Sequence, residues 1–237
     1  MATDAMLRVR SITTGYGSTP ILRGIDLSVQ PGEIVAVIGR NGVGKTTMMK
    51  SLIGQVRIWD GSIKLNGREI SSMPPERRAQ SGIGYIPQGR EVFPRMTVEE
   101  NLSIGEMING ASDRKLYDLV YGYFPILAER RRQAAGTMSG GQQQQLAIGR
   151  ALVGNPVLLL LDEPSEGIQP TIVEDIARVM LTINKDLGTT ILFVEQNLDM
   201  IMAMTQRCYV MDKGRIVAEL RSQALAERDV VKRHLQI

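Results

Sequence analysis

IVAVIGRNGVGKTT, residues 34–47, decides the fold. Ile34 to Ile38 is a continuous apolar run, too short for a helix and bounded by turn residues, so it reads as a strand buried on both faces. Glycines at 39, 42 and 44 follow, and Lys45 to Ile53 carries a helical pattern closed by Gly54. Strand, glycine-rich turn and helix in that order fit the Walker A pattern, Gly39-Arg40-Asn41-Gly42-Val43-Gly44-Lys45-Thr46. The glycines let backbone N–H groups turn inward onto phosphate oxygens, and the helix N-terminus adds a favourable dipole. Lys45 is expected to reach the β- and γ-phosphates, Thr46 to set its hydroxyl on Mg²⁺, and Thr47 to lie within reach of the α-phosphate. A turn that merely joined strand to helix would not require Lys-Thr at this register.

Upstream, Leu7 to Ile12 alternates apolar and polar residues and Ile21 to Val29 does so less regularly, which predicts strands of an antiparallel edge sheet. Downstream, Ser62 to Leu65 predicts a short strand ending in the Asn66-Gly67 turn, Pro74-Pro75-Glu76 opens a helix that Gly82 ends, and Ile83 to Ile86 is strand again. From Gln88 to about Pro156 the pattern is helical, with Thr97-x-x-Glu100 as a capping box. Val157 to Leu161, Thr190 to Val194 and Cys208 to Met211 predict strands, with a helix over 171–187 between the first two. Strand, helix, strand implies a parallel sheet, hence an α/β core. The expected organisation is one domain over 1–237, a nucleotide-binding core of 1–88 and 157–237 with a helical subdomain inserted over 89–156.

Leu158-Leu159-Leu160-Leu161-Asp162-Glu163 is an apolar strand ending in two carboxylates. Such a strand delivers Asp162 to the carboxyl edge of the sheet, where open α/β sheets place ligands. Asp162 would hold the metal through water; Glu163, pointing the other way, would polarise a water for in-line attack on a γ-phosphate. A second anion site is predicted at Thr137-Met138-Ser139-Gly140-Gly141-Gln142, where a Ser and two Gly stand before a helix whose first residues include four Gln.

With Walker A, the Asp162-Glu163 strand and Ser139-Gly140-Gly141-Gln142 in this order, the chain resembles the ATP-binding cassette family over essentially its whole length. The resemblance implies a P-loop ATPase, RecA-like, with an antiparallel β subdomain and an inserted helical subdomain. It implies ATP and Mg²⁺ as ligands, and two cassettes packed head to tail, so that Ser139, Gly140, Gly141 and Gln142 face the γ-phosphate held by a second ATPase subunit, a paralogue or another copy. It places Tyr16 on adenine, Gln88 as the hinge glutamine that contacts Mg²⁺ and water, and Gly89 to Pro94, with Phe93, beside a groove for a membrane subunit. The switch position, where the family usually has His, is Gln196, which can donate an amide hydrogen bond but cannot become charged. The aspartate usual before the following helix is replaced by Gln169. Gly-Arg-Asn-Gly-Val-Gly-Lys, Gln-Gly-Arg-Glu-Val-Phe-Pro, Glu-Gly-Ile-Gln-Pro and Val-Glu-Gln-Asn together look like the second ATPase of branched-chain amino acid uptake systems, most like their urea and short-chain amide branch. By that likeness the chain would be peripheral on the cytoplasmic face of the inner membrane, working with two transmembrane permease subunits and, indirectly, a periplasmic binding protein. The alternatives are the cassette of a lipid or polysaccharide exporter, a soluble cassette acting on ribosomes or DNA, and a nucleotide sensor without turnover.

Composition limits the other classes. The 237 residues are 43% hydrophobic and 22% charged with a net charge of +3, ordinary for a globular chain. Basic residues are scattered apart from Arg77-Arg78 and Arg130-Arg131-Arg132, read as solvated helix faces, so no nucleic-acid partner is expected. The single cysteine, Cys208, is expected to be buried and inert. Met1 to Met6 carries no signal-peptide pattern and no apolar run spans a bilayer, which argues against a secreted or membrane-spanning chain. The one histidine, His234, is read as surface. Arg221 to Ile237 is read as a charged helix capping the core through Leu225, Val230, Val231 and Leu235, and Met200, Met202 and Met204 as packing.

Overall fold

The apolar strands divide between two sheets. The computed structural model describes residues 5–108, 113–221, 225 and 231. β1 (Leu7–Tyr16), β2 (Thr19–Val29), β4 (Asp60–Leu65) and β5 (Arg68–Glu69) form an antiparallel sheet in the order β2-β1-β4-β5. β3 (Ile34–Ile38), β6 (Ile83–Ile86), β7 (Leu158–Asp162), β8 (Thr190–Glu195), β9 (Arg207–Asp212) and β10 (Arg215–Arg221) form the second, in the order β10-β9-β3-β8-β7-β6. This sheet is parallel except for β10, which pairs antiparallel with β9.

The continuous apolar runs follow from burial on both faces, because successive side chains of a strand point to opposite sides. Ile34, Ala36 and Ile38 join one core cluster with α6 (Gly140–Val153) and α7 (Pro170–Leu187), whereas Val35 and Val37 join the other with α1 (Lys45–Ile53), β1 and β2. Leu159 and Leu161 fall with the first cluster and Leu158 and Leu160 with the second. α3 (Val98–Glu106), α4 (Arg114–Tyr123) and α5 (Pro125–Glu129) pack around α6. Thr97 caps α3 and exchanges both capping-box bonds with Glu100.

Several expectations need correction. β1 runs on to Tyr16, its pairing with β2 shifting register after Val9, Ile12 and Thr14. Val157 lies before β7 and is exposed. β10 is an additional strand, although Ile216, Ala218 and Leu220 alternate with polar or exposed positions across it. Arg77-Arg78 is no solvated pair: Arg77 is exposed on α2 (Pro75–Gln80), but Arg78 is 1% exposed. Arg130 to Arg132 sits in the turn after α5 rather than on a helix, where Arg131 stacks over the Tyr121 ring. Leu225 and Val231 are buried in the first cluster, while Val230, Leu235, His234 and Met1 to Asp4 lie outside the described residues. Met200 and Met204 are buried, as expected of packing residues.

Cys208 is fully buried on β9, and burial pushes its thiol up to about 12. Iodoacetamide at pH 8 is therefore expected to leave the native protein unmodified and to label one site after unfolding in guanidinium, read by intact mass. Labelling at equal rates in both states would place Cys208 at the surface.

Candidate active site

Strand order builds the site. β3, β8, β7 and β6 are consecutive neighbours, so the segments leaving their carboxyl ends are brought side by side: the glycine loop, Gln196, Asp162-Glu163, and Gln88. A cleft of about 320 Å³ opens there, lined by Ile21, Asn41, Gly42, Gly44, Lys45, Thr46, Thr47, Gln88 and Glu163. The loop lies close over β9. A Cβ on Gly39 would sit 2.4 Å from the Met211 carbonyl oxygen, at a φ of 158°, so only glycine lets the backbone pass.

Lys45 is 4% exposed and its ammonium is fully engaged. Nζ donates to the carbonyls of Gly39 at 2.9 Å and Arg40 at 3.0 Å, and pairs with Glu163 Oε1 at 3.2 Å. Gln196 Nε2 donates to the same Oε1 at 2.9 Å and to Asn41 Oδ1 at 2.6 Å. β8 lies between β3 and β7, which is why a residue leaving β8 bridges the glycine loop to the carboxylate. Glu163 holds a left-handed φ of 48°, its amide tied to the Val194 carbonyl at 3.0 Å, and that turn separates its side chain from that of Asp162.

Asp162 is 1% exposed. Oδ1 accepts from Thr46 Oγ1 at 3.1 Å and Oδ2 from Tyr85 Oη at 3.3 Å. Burial pushes this carboxyl up to about 6; the Thr46 bond works against that rise, and the charge of Glu163 adds to it. Among the described residues no group of three His, Cys, Asp or Glu side chains is placed to hold a metal ion alone. The Thr46 and Asp162 oxygens nonetheless fit Mg²⁺, which takes hard oxygen donors from one or two side chains and completes its shell with phosphates and water.

Other expected site residues lie elsewhere. Tyr16 ends β1 with its side chain half exposed and does not line the cleft. Ser139 caps α6, accepting from the Gln142 amide while Gln142 Oε1 accepts from the Ser139 amide at 3.1 Å. Ser139 and Gln142 border a separate cavity of about 360 Å³, with Phe124, Gln145 and Ile172. The two predicted anion sites of one chain thus open into different cavities.

Tyr85 and Glu195 also belong to the site. Glu195 is 3% exposed and its carboxylate accepts three backbone amides, Gln196 at 2.7 Å, Asn197 at 3.0 Å and Ser165 at 3.1 Å. The signal was there: Glu195 ends an apolar strand just as Asp162 does. Tyr85, inside an ordinary strand pattern, gave none.

The chain matches the family described as ABC transporter over residues 22–166. It is 41% identical over 228 residues to the high-affinity branched-chain amino acid transport ATP-binding protein BraG of Pseudomonas aeruginosa, covering 96% of this chain and 97% of that one. It is 37% identical over 225 residues to LivF of Archaeoglobus fulgidus, named as a probable branched-chain amino acid transport ATP-binding protein, covering 94% and 95%. A crystal structure of a nucleotide-free ATP-binding cassette from an ABC transporter superposes with a TM-score of 0.84 at 29% identity, covering 97% and 98%.

Proposed function

This chain belongs to the ABC transporter family as one of its ATP-hydrolysing cassettes, and from that premise we propose that it drives uptake of a small polar solute, a branched-chain amino acid or a urea-like short-chain amide. The amino acid rests on the likeness to BraG over nearly the whole of both chains, and the amide on the motif likeness alone. The mechanism rests on one observation: the glycine-loop cleft and the Ser139 segment open into different cavities, so one chain does not close both around a single phosphate. A second cassette, packed head to tail, would bring its Ser139, Gly140 and Gly141 onto the γ-phosphate lying on Lys45 of the first. ATP joins the two surfaces while intact, and cleavage removes the joint, which gives the differential contact a ligand needs to drive a motion.

Within the cleft, Lys45 exchanges the carbonyls of Gly39 and Arg40 and the carboxylate of Glu163 for phosphate oxygens. Asn41, Gly42 and Gly44 offer backbone amides, and Thr47 lies toward the α-phosphate. That exchange frees Oε1 of Glu163 to accept a proton from the attacking water, while Gln196 turns its amide to the γ-phosphate. Thr46, Asp162 and Gln88 would hold Mg²⁺, which neutralises charge on the phosphates. Tyr16 supplies an aromatic face for adenine. Tyr16→Ala is expected to weaken ATP binding about 3- to 10-fold, and Tyr16→Phe to leave it unchanged, by fluorescent-nucleotide titration. Equal losses in both variants would assign Tyr16 a structural role.

One of two permease subunits would dock beside Phe93 of each cassette; Phe93 is exposed and backed by Asn101, whose side chain bonds both its amide and its carbonyl. The chain then sits peripherally on the cytoplasmic membrane face; no helix among the described residues is long and apolar enough to cross a bilayer. The deciding experiment is isolation of the native complex in detergent, with ATPase and solute uptake measured in proteoliposomes. Co-isolation with two permeases and uptake of a branched-chain amino acid or amide is expected. Recovery with ribosomes and no permease would overturn the proposal.

A further inference from the structure

The loop joining β7 to α7, residues 163–169, is held from two sides. Glu195 takes the Ser165 amide from beneath Gln196. From the other side Arg90 Nη2 donates to the Glu166 carbonyl at 2.9 Å, with the Gly167 carbonyl at 3.5 Å. The same guanidinium covers the start of α6: a Cβ on Gly140 would come within 3.1 Å of Nη1 and 3.3 Å of Cζ and Nη2. Arg90 therefore bonds the loop that follows Asp162 and Glu163 while its guanidinium lies against the residue next to Ser139.

Its backbone is built for that reach. Gly89, Arg90 and Glu91 have successive left-handed φ values of 79°, 71° and 46°, an arrangement that side-chain-bearing residues avoid unless it is held. Arg150 of α6 holds it, donating Nη1 to the Glu91 carbonyl at 2.9 Å and Nη2 to the Arg90 carbonyl at 3.3 Å. The fork geometry matters, since a guanidinium presents several donors in one plane and a single ammonium does not.

We propose that Arg90 is a positioning residue that couples the chain's own hydrolytic site to its Ser139 segment through loop 163–169. The contacts run from Gln196 and Glu163, through Glu195 and Ser165, to the Glu166 and Gly167 carbonyls and across Arg90 to Gly140. The consequence for turnover rests on the two-chain sandwich proposed above; the contact itself lies within one chain.

The test compares the full-length wild type with Arg90→Ala and Arg90→Lys. In the nucleotide-free chain, amide hydrogen exchange of segments 164–169 and 139–143 is expected to quicken about tenfold in Arg90→Ala, while affinity for a fluorescent ATP analogue stays within twofold. In the assembled transporter kcat falls about tenfold with KM for ATP unchanged. Arg90→Lys, which keeps the charge and loses the fork, gives intermediate values in both readouts. Unchanged exchange in Arg90→Ala, a kcat within twofold of wild type, a parallel loss of nucleotide affinity, or full rescue by Lys would each overturn the proposal. ATP-driven dimerisation of Glu163→Gln reports separately on the sandwich: were it absent, that reading would fail, while the exchange measurement would still decide the Arg90 contact.

Discussion

Glu163→Gln is expected to lower steady-state ATP turnover by about 10²–10⁴-fold, the span that a positioned general base supplies. Under the proposed roles the amide cannot take the proton of the attacking water. Affinity should not fall with turnover. The carboxylate pairs with Lys45 at 3.2 Å, and replacing it by a neutral amide removes a competitor for the ammonium that phosphate must engage. The variant should bind ATP at least as tightly as wild type and trap the ATP-bound state. Phosphate release in single turnover and equilibrium nucleotide binding separate the two effects. Turnover near the wild-type rate would move the base elsewhere; loss of binding in step with turnover would make Glu163 a structural partner of Lys45. Lys45→Ala gives the contrasting pattern, with affinity and turnover lost together.

Arg78→Ala is expected to destabilise the protein by about 3–5 kcal/mol, the upper end of single-substitution effects, reached when several buried carbonyls lose their donor and a large side chain leaves a cavity. Arg78 Nε donates to the Met73 carbonyl at 2.9 Å, Nη1 to Ser51 at 2.7 Å and Leu52 at 2.9 Å, and Nη2 to Ser71 at 2.7 Å. Ser51 and Leu52 belong to the last turn of α1, whose carbonyls lack partners within the helix and favour a nearby cation. Burial draws the Arg78 guanidinium below its ordinary value, and Glu69 opposes that shift. Alanine leaves four carbonyls without this donor. At 2–4 °C per kcal/mol for a chain of this size, Tm should fall by roughly 10 °C. Arg78→Met, which fills the space without donors, should cost nearly as much, and Arg78→Lys less. A loss below about 1 kcal/mol in urea unfolding for Arg78→Met would show that packing rather than hydrogen bonding carries the site. Because α1 begins at Lys45, loosening its far end should also weaken ATP binding.

The contrast between these two residues reflects what a sequence displays. Glu163 follows four leucines and an aspartate, a local pattern whose chemistry is visible within six residues. Arg78 has an ordinary helix neighbourhood, and two of the carbonyls it holds lie 26 and 27 residues away. Its neighbour Arg77 is exposed on the same short helix, so composition could not tell the pair apart. Arg90 is the same case at greater range, its acceptor on Glu166 lying 76 residues downstream. β10 differs: its alternation, Ile216, Ala218, Leu220, was legible, and the turn at Lys213 and Gly214, both with left-handed φ, marks its start.

The buried strands, the glycine loop and the carboxylates that end β7 are legible along the chain, because strand alternation, glycine backbone freedom and the reach of one side chain are properties of a few consecutive residues. Which of those pieces meet depends on how the strands and helices assemble. Placing β8 between β3 and β7 puts Gln196 between Asn41 and Glu163, and folding α2 against α1 turns an apparent surface arginine into a buried anchor. The physical reason is that a charge is stabilised by the partners that surround it, and those are set by strand order and helix packing, which residue spacing along the chain does not specify.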